Sequence, residues 1–185
     1  HLAHINSYCR GQIKTPLAES LGAIECLNAH PDILSESYLS PINGTSGEMV
    51  DGVPFSKATP NSLKRFGYAP DYKGMKSAIE EGVAKIMVEE GGETVLRTGP
   101  DAATVWEERE TKMMVSFDVN PAESRFLLAT ARRPDGTFTV DAVATDGGGI
   151  PRNVTVEMGL TLVAFQALTM ADFVRKTSLN PAAML

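Results

Sequence analysis

Cysteine is scarce in this chain: Cys9 and Cys26 are the only two. They are too few for a disulfide framework and are not spaced as a CxxC zinc knuckle. A reducing, cytoplasmic setting is the expectation. Long apolar runs are missing as well, since the longest stretches, such as 160–167, fall far short of the ~20 residues a bilayer span needs. Basic residues do not dominate: Lys and Arg total 17 against 23 Asp and Glu, for a net charge of −6. That balance excludes a general phosphate-backbone binder, whose affinity rests on clustered Lys and Arg. No basic segment followed by an apolar run opens the chain, and there is no internal repeat or low-complexity tract. The expected partner is a small molecule, with no nucleic acid and no membrane.

What is present is the composition of an ordinary folded domain: 185 residues, 43% hydrophobic and 22% charged, enough for a sizeable core. The two ends read as cuts. A strand-like tract rich in metal-ligand residues, His1-Leu2-Ala3-His4-Ile5, stands at the very start. The last residues, Asn180-Pro181-Ala182-Ala183-Met184-Leu185, open a helical turn and stop inside it.

The hydrophobic pattern predicts a strand over 2–6, then a helix opened by Thr15 as N-cap and Pro16 at its first position. A second strand is expected over 33–39, so the opening reads as a strand–helix–strand unit of parallel α/β structure. Residues 40–60, rich in Gly, Pro, Ser and Asn, read as a long loop. Helices over 71–82 and 101–110 alternate with strands over 83–89 and 113–119. Asn120-Pro121-Ala122-Glu123 reads as a capping box opening a helix to about 133. An alternating strand follows over 137–145, then a helix over 153–168 and a further one capped by Thr169. The roughly 95 residues between the strands at 33–39 and 137–145 far exceed a normal crossover. The expected division is therefore a barrel-like β/α/β segment at 1–39, an inserted lid or subdomain at 40–134, and a last strand with C-terminal helices at 135–185.

Two positions stand out for chemistry. His4 follows an apolar strand and leads into the polar tract Asn6-Ser7-Tyr8-Cys9-Arg10-Gly11, a place where metal-binding histidines gather in barrels. A satisfied core or turn histidine fits the same position. Asp146, in Ala144-Thr145-Asp146-Gly147-Gly148-Gly149, is a carboxylate at a strand end followed by glycines that expose backbone, which suits a metal ligand or general base. An ordinary Asp-Gly turn fits it too. The glycines lack the Lys-Ser/Thr of a P-loop and the spacing of a dinucleotide fingerprint. Glu36 and Tyr38, on the strand between, would face the same pocket if the strands neighbour one another. Arg10, Gly147 and Gly148 are further candidates for contacting substrate. Cys9 reads as a small buried thiol, and Cys26 as a core residue of the first helix. Arg132-Arg133 and Arg175-Lys176 read as helix-end charges in solvent.

Taken together these segments resemble the amidohydrolase superfamily, in its N-acyl-D-amino-acid deacylase-like branch. Leu2-Ala3-His4-Ile5-Asn6-Ser7 is similar to that family's sixth barrel strand, which ends in a zinc-binding histidine. The tract from Ile33 to Thr45 resembles the seventh strand and its loop, and Val143-Ala144-Thr145-Asp146-Gly147 the eighth. The tract from Phe173 to Leu185 is similar to the helix leading into the family's Asn-Pro-Ala segment. The four segments cover about a third of the chain. The first-strand HxH pair, the bridging Lys or Cys and the fifth-strand His have no counterpart.

The resemblance implies an α/β fold, a partial TIM-type (β/α)8 barrel comprising about strands 6 to 8, with a long insertion between the last two. It implies a zinc-dependent hydrolase, one or two Zn2+, acting on an amide or N-acyl bond. His4 and Asp146 would hold metal, and Asp146 would act as general acid/base. The isolated chain is then expected to be an inactive fragment whose open strand edges leave room for a homo-oligomer. Two other readings stay open: a small non-catalytic α/β ligand-binding module, and a partner subunit of a split barrel.

Overall fold

The computed structural model describes residues 1–145 and 154–184. The chain is mixed α/β and divides into two units, one inserted in the other.

The first unit begins with a single parallel bridge, Leu2 to Ser35, in place of the strand expected over 2–6. The backbone then leaves the extended region, because His4 takes a left-handed conformation (φ 55°, ψ 48°) and Ile5–Tyr8 close a 3-10 turn. Helix α1, Pro16–Ala29, starts as its sequence predicts, with the Thr15 side chain accepting from the Ala18 amide. It ends at His30, before Pro31. Strand β1, Glu36–Tyr38, follows.

At Ile42 the chain enters the second unit, Ile42–Val119. The expected loop over 40–60 is largely structured. It holds β2 (Asn43–Ser46), the short pair β3 (Met49–Val50) and β4 (Val53–Pro54), and the start of α2 (Thr59–Arg65). Its small polar residues are satisfied in ladders and among themselves: Thr45 Oγ1 lies 2.8 Å from Ser56 Oγ and 3.0 Å from Thr59 Oγ1. Helix α3, Tyr72–Glu80, is capped by Asp71, whose carboxylate accepts from the Gly74 amide. Then come β5 (Ala84–Glu90), β6 (Glu93–Arg97), α4 (Pro100–Glu108) and β7 (Met114–Phe117). The strands form an antiparallel sheet in the order β2-β7-β5-β6. Ala84, Ile86, Val115 and Phe117 of the sheet pack with Leu63, Met75, Ile79 and Trp106 of the helices in one buried cluster.

Back in the first unit, α5 covers Ala122–Thr130. The expected capping box at 120–123 does not form, since α5 has no side-chain cap. Asn120 instead donates to the Ser40 carbonyl and accepts from Arg10. The first unit thus resumes at Asn120, ahead of the boundary at 134 expected from sequence. Strand β8 is short, Ala142–Ala144, and pairs parallel with β1 in the register Glu36–Ala142, Ser37–Val143, Tyr38–Ala144. Helix α6, Thr155–Ala164, leads to α7, Met170–Val174, whose Thr169–Asp172 capping box is fully formed. A π-helical turn, Arg175–Leu179, connects to α8, Asn180–Met184.

The described strands form three separate sheets and no closed barrel. Two expectations about side-chain exposure are also overturned in the first unit. Cys26 is exposed, because it lies on the outer side of α1. Lys176, expected in solvent, is fully buried, because the π turn carries its side chain inward to the carbonyl of Val140. Among the described residues no helix is long and apolar enough to cross a membrane.

Candidate functional site

The start of the chain and β1 bring four of the sequence candidates together. Side chains two apart on a strand share a face, so Glu36 and Tyr38 project to one side of β1. The 3-10 turn after Leu2 is pinned against that strand by Asn6, which is fully buried. Its Oδ1 accepts from the Tyr38 amide at 2.9 Å. His4, immediately before the turn, is thereby held with Nδ1 3.2 Å from Glu36 Oε1. His1 approaches the same carboxylate, Nε2 to Oε2 at 4.0 Å. The His4 side chain remains 38% exposed and Glu36 19%, so the pair is reached by solvent. A histidine held at positive φ is uncommon and concentrates at functional positions.

Beside this pair lies a polar network. The Tyr38 ring stands 5.8 Å from that of His4, tilted 57°. Its hydroxyl accepts from Arg10 Nη2 at 2.9 Å and lies 3.1 Å from Ser7 Oγ. Arg10 Nε donates to Asn120 Oδ1 at 2.9 Å, and the Tyr38 hydroxyl donates to the same oxygen at 3.2 Å. The Arg10 guanidinium is thus aimed by three neutral oxygens, those of Asn120, Ser7 and Tyr38. Arrangements of this kind suit an oxyanion or the carboxylate of a small ligand.

His4, Glu36, Tyr38 and Arg10 therefore converge. Asp146, Gly147 and Gly148 lie outside the described residues. Sequence reasoning passed over Asn6, Ser7 and Asn120, which hold the others in place. The polar tract after Leu2 signalled the first two, whereas Asn120 reads locally as a helix cap and nothing nearby in sequence links it to Arg10.

Cys9 is buried, and desolvation pushes its thiol above the ordinary range, against a lowering hydrogen bond from Ser20. That describes an inert thiol and not a nucleophile.

As zinc ligands, the described residues supply one imidazole already faced by a carboxylate, the pairing that orients zinc-bound histidines. Among the described residues, no three His, Cys, Asp or Glu side chains form a group able to hold a metal ion. The donor chemistry thus fits one position of a zinc site. No protein-family model, no curated protein and no solved structure matches the chain.

Proposed function

We propose that this chain carries part of the active site of a metal-dependent hydrolase of C–N bonds, amide or N-acyl. Its successive parallel segments at Leu2, β1 and β8 would belong to a partial (β/α)8 barrel, with the second unit as the insertion between the last two. The observation that carries the reading is the His4–Glu36 pair at 3.2 Å, beside the Arg10–Tyr38 network.

In this reading zinc, when bound, lowers the pKa of its water toward ~7 and polarises the acyl carbonyl. Glu36 faces Nδ1 of His4 and would favour the tautomer protonated there, so that His4 would hold the metal through Nε2. Asp146 would be the second ligand and the general acid/base, taking a proton from water and passing it to the leaving nitrogen. Arg10 and the Tyr38 hydroxyl would orient an oxygen of the substrate.

The test is elemental analysis of the intact protein, with hydrolysis assayed on a panel of N-acyl amino acids. Near-stoichiometric zinc, reduced in His4→Ala, with turnover abolished in Asp146→Ala, supports the proposal. Glu36→Gln is expected to weaken zinc affinity by roughly 10–100-fold. No bound metal, and variants that differ from the parent in stability alone, would leave a non-catalytic ligand-binding module as the better reading.

A further inference from the structure

A second candidate site lies in the first unit, at the amino-terminal ends of β1 and β8. There a cavity of about 630 Å³ is lined by Arg132, Arg133, Thr137, Phe138, Arg175 and Asn180, with Asp135 and Asp141 also on its wall. That volume falls within the ~300–1,000 Å³ typical of small-molecule sites. The loop that forms one side turns at Pro134-Asp135-Gly136, with Gly136 at φ 85° and a bridge from Arg132 to Phe138.

The charges around this cavity divide into committed and uncommitted groups. Asp135 Oδ1 is taken by the Thr137 amide and hydroxyl, at 2.9 and 2.6 Å. Asp141 Oδ2 accepts from the Ser35 amide at 2.9 Å. Lys176, buried behind the Phe138 ring at 4.1 Å, supplies Asp141 with a nearby amine. Arg133 donates to the carbonyls of Phe138 and Thr139, and its buried Nε has no acceptor among the described residues. Arg132 stacks on Phe138 at 4.0 Å and bonds the Gly136 carbonyl and Asp172. Arg175 is exposed on the cavity wall, and its side chain makes no hydrogen bond or ion pair among the described residues. One oxygen of each carboxylate is thus turned into the protein's own framework, whereas the Arg175 guanidinium has no partner among the described residues.

We propose that this cavity binds a small oxyanion, a carboxylate or a phosphate, with Arg175 as its principal ligand. The Arg132 face, already held flat by Phe138, stands beside it. Guanidinium groups match both anions through paired N–H donors, which is why the two share one site chemistry. None of the residues that line the cavity belongs to the His4–Glu36 site.

Calorimetric titration of the intact protein with inorganic phosphate and with succinate, against sodium chloride at equal ionic strength, tests this. Saturable binding of either probe is expected, and the probe that binds names the anion class. Arg175→Ala, a surface change that spares the fold, should weaken binding at least tenfold, Arg175→Lys should weaken it less, and His4→Ala should leave it unchanged. The proposal is wrong if neither probe saturates, if chloride reproduces the signal, or if Arg175→Ala binds as the parent does. It is equally wrong if His4→Ala abolishes binding, which would put the anion in the other site.

Discussion

Replacing Lys176 by Met should remove a specific pH dependence from the stability of this protein. The side chain is fully buried. Desolvation is the main cause of a shift that brings its amine down to about 7, with Arg132 pushing the same way and Asp141 and Asp172 opposing. In the unfolded chain the amine titrates near ~10.4. Below pH 7 both states carry the proton, and the native state bears the full cost of a buried ammonium. Between 7 and 10.4 the unfolded chain binds more protons than the native one, so stability rises with pH, and it levels off above that range.

Integrated from pH 7 to 9, where the native amine passes from half to almost fully neutral, the gain is about 2 kcal/mol. Met has no such term. Its stability at a single pH is not diagnostic, because the Val140 carbonyl loses the donor it holds at 2.6 Å, a loss worth ~1–3 kcal/mol. The difference in slope between parent and variant is diagnostic, because the other titrating groups largely cancel in it. Urea unfolding at pH 7, 8 and 9 should be followed by far-UV circular dichroism. Trp106, the single tryptophan, belongs to the second unit and reports little of this one. A parent-minus-Met difference that stays flat from pH 7 to 9 would refute the reasoning, since the amine would then keep its charge in the fold.

Three further outcomes are expected. Gly47→Ala would place a Cβ 2.7 Å from Val115 Cγ1 and 3.0 Å from the Met113 carbonyl, so it should cost about 2 kcal/mol of overpacking strain in the second unit, read by a lowered urea midpoint in Trp106 fluorescence; an unchanged midpoint contradicts the close approach. Thr15→Ala removes the side chain that accepts the Ala18 amide at 3.2 Å and should destabilise the first unit by ~1 kcal/mol, measured by circular dichroism, with Thr15→Ser restoring most of it. Iodoacetamide at pH 8 should label exposed Cys26 rapidly and leave buried Cys9 unmodified until urea is added, which peptide mass spectrometry resolves; early labelling of Cys9 would show that its pocket opens.

The elements whose cause is local were legible in the sequence. Thr15-Pro16, Asp71 and Thr169 each cap the helix they announce, because a cap is a bond between residues three apart. The strands expected over 83–89 and 113–119 are found at Ala84–Glu90 and Met114–Phe117, each a short β-rich run between helices. Strand β6 and the Gly91-Gly92 hairpin that joins it to β5, both glycines at positive φ, were not among the expected elements, although paired glycines are a hairpin signal. The convergence of Glu36 and Tyr38 was foreseeable from their spacing once His4 was suspected, but the distances were not.

What only the tertiary structure decided is wherever a residue's partner lies far along the chain. Asn120 looks like a cap and serves Arg10, 110 residues away in sequence, instead. Lys176 looks like a solvated helix-end charge and is buried against Val140, 36 residues before it. The polar stretch after Ser40 looks like a loop and pairs as β2 with β7, because an antiparallel partner some 70 residues on satisfies its backbone. A local window records propensity and periodicity. Whether a charge is desolvated or a backbone amide is paired depends on which distant segment the fold brings beside it.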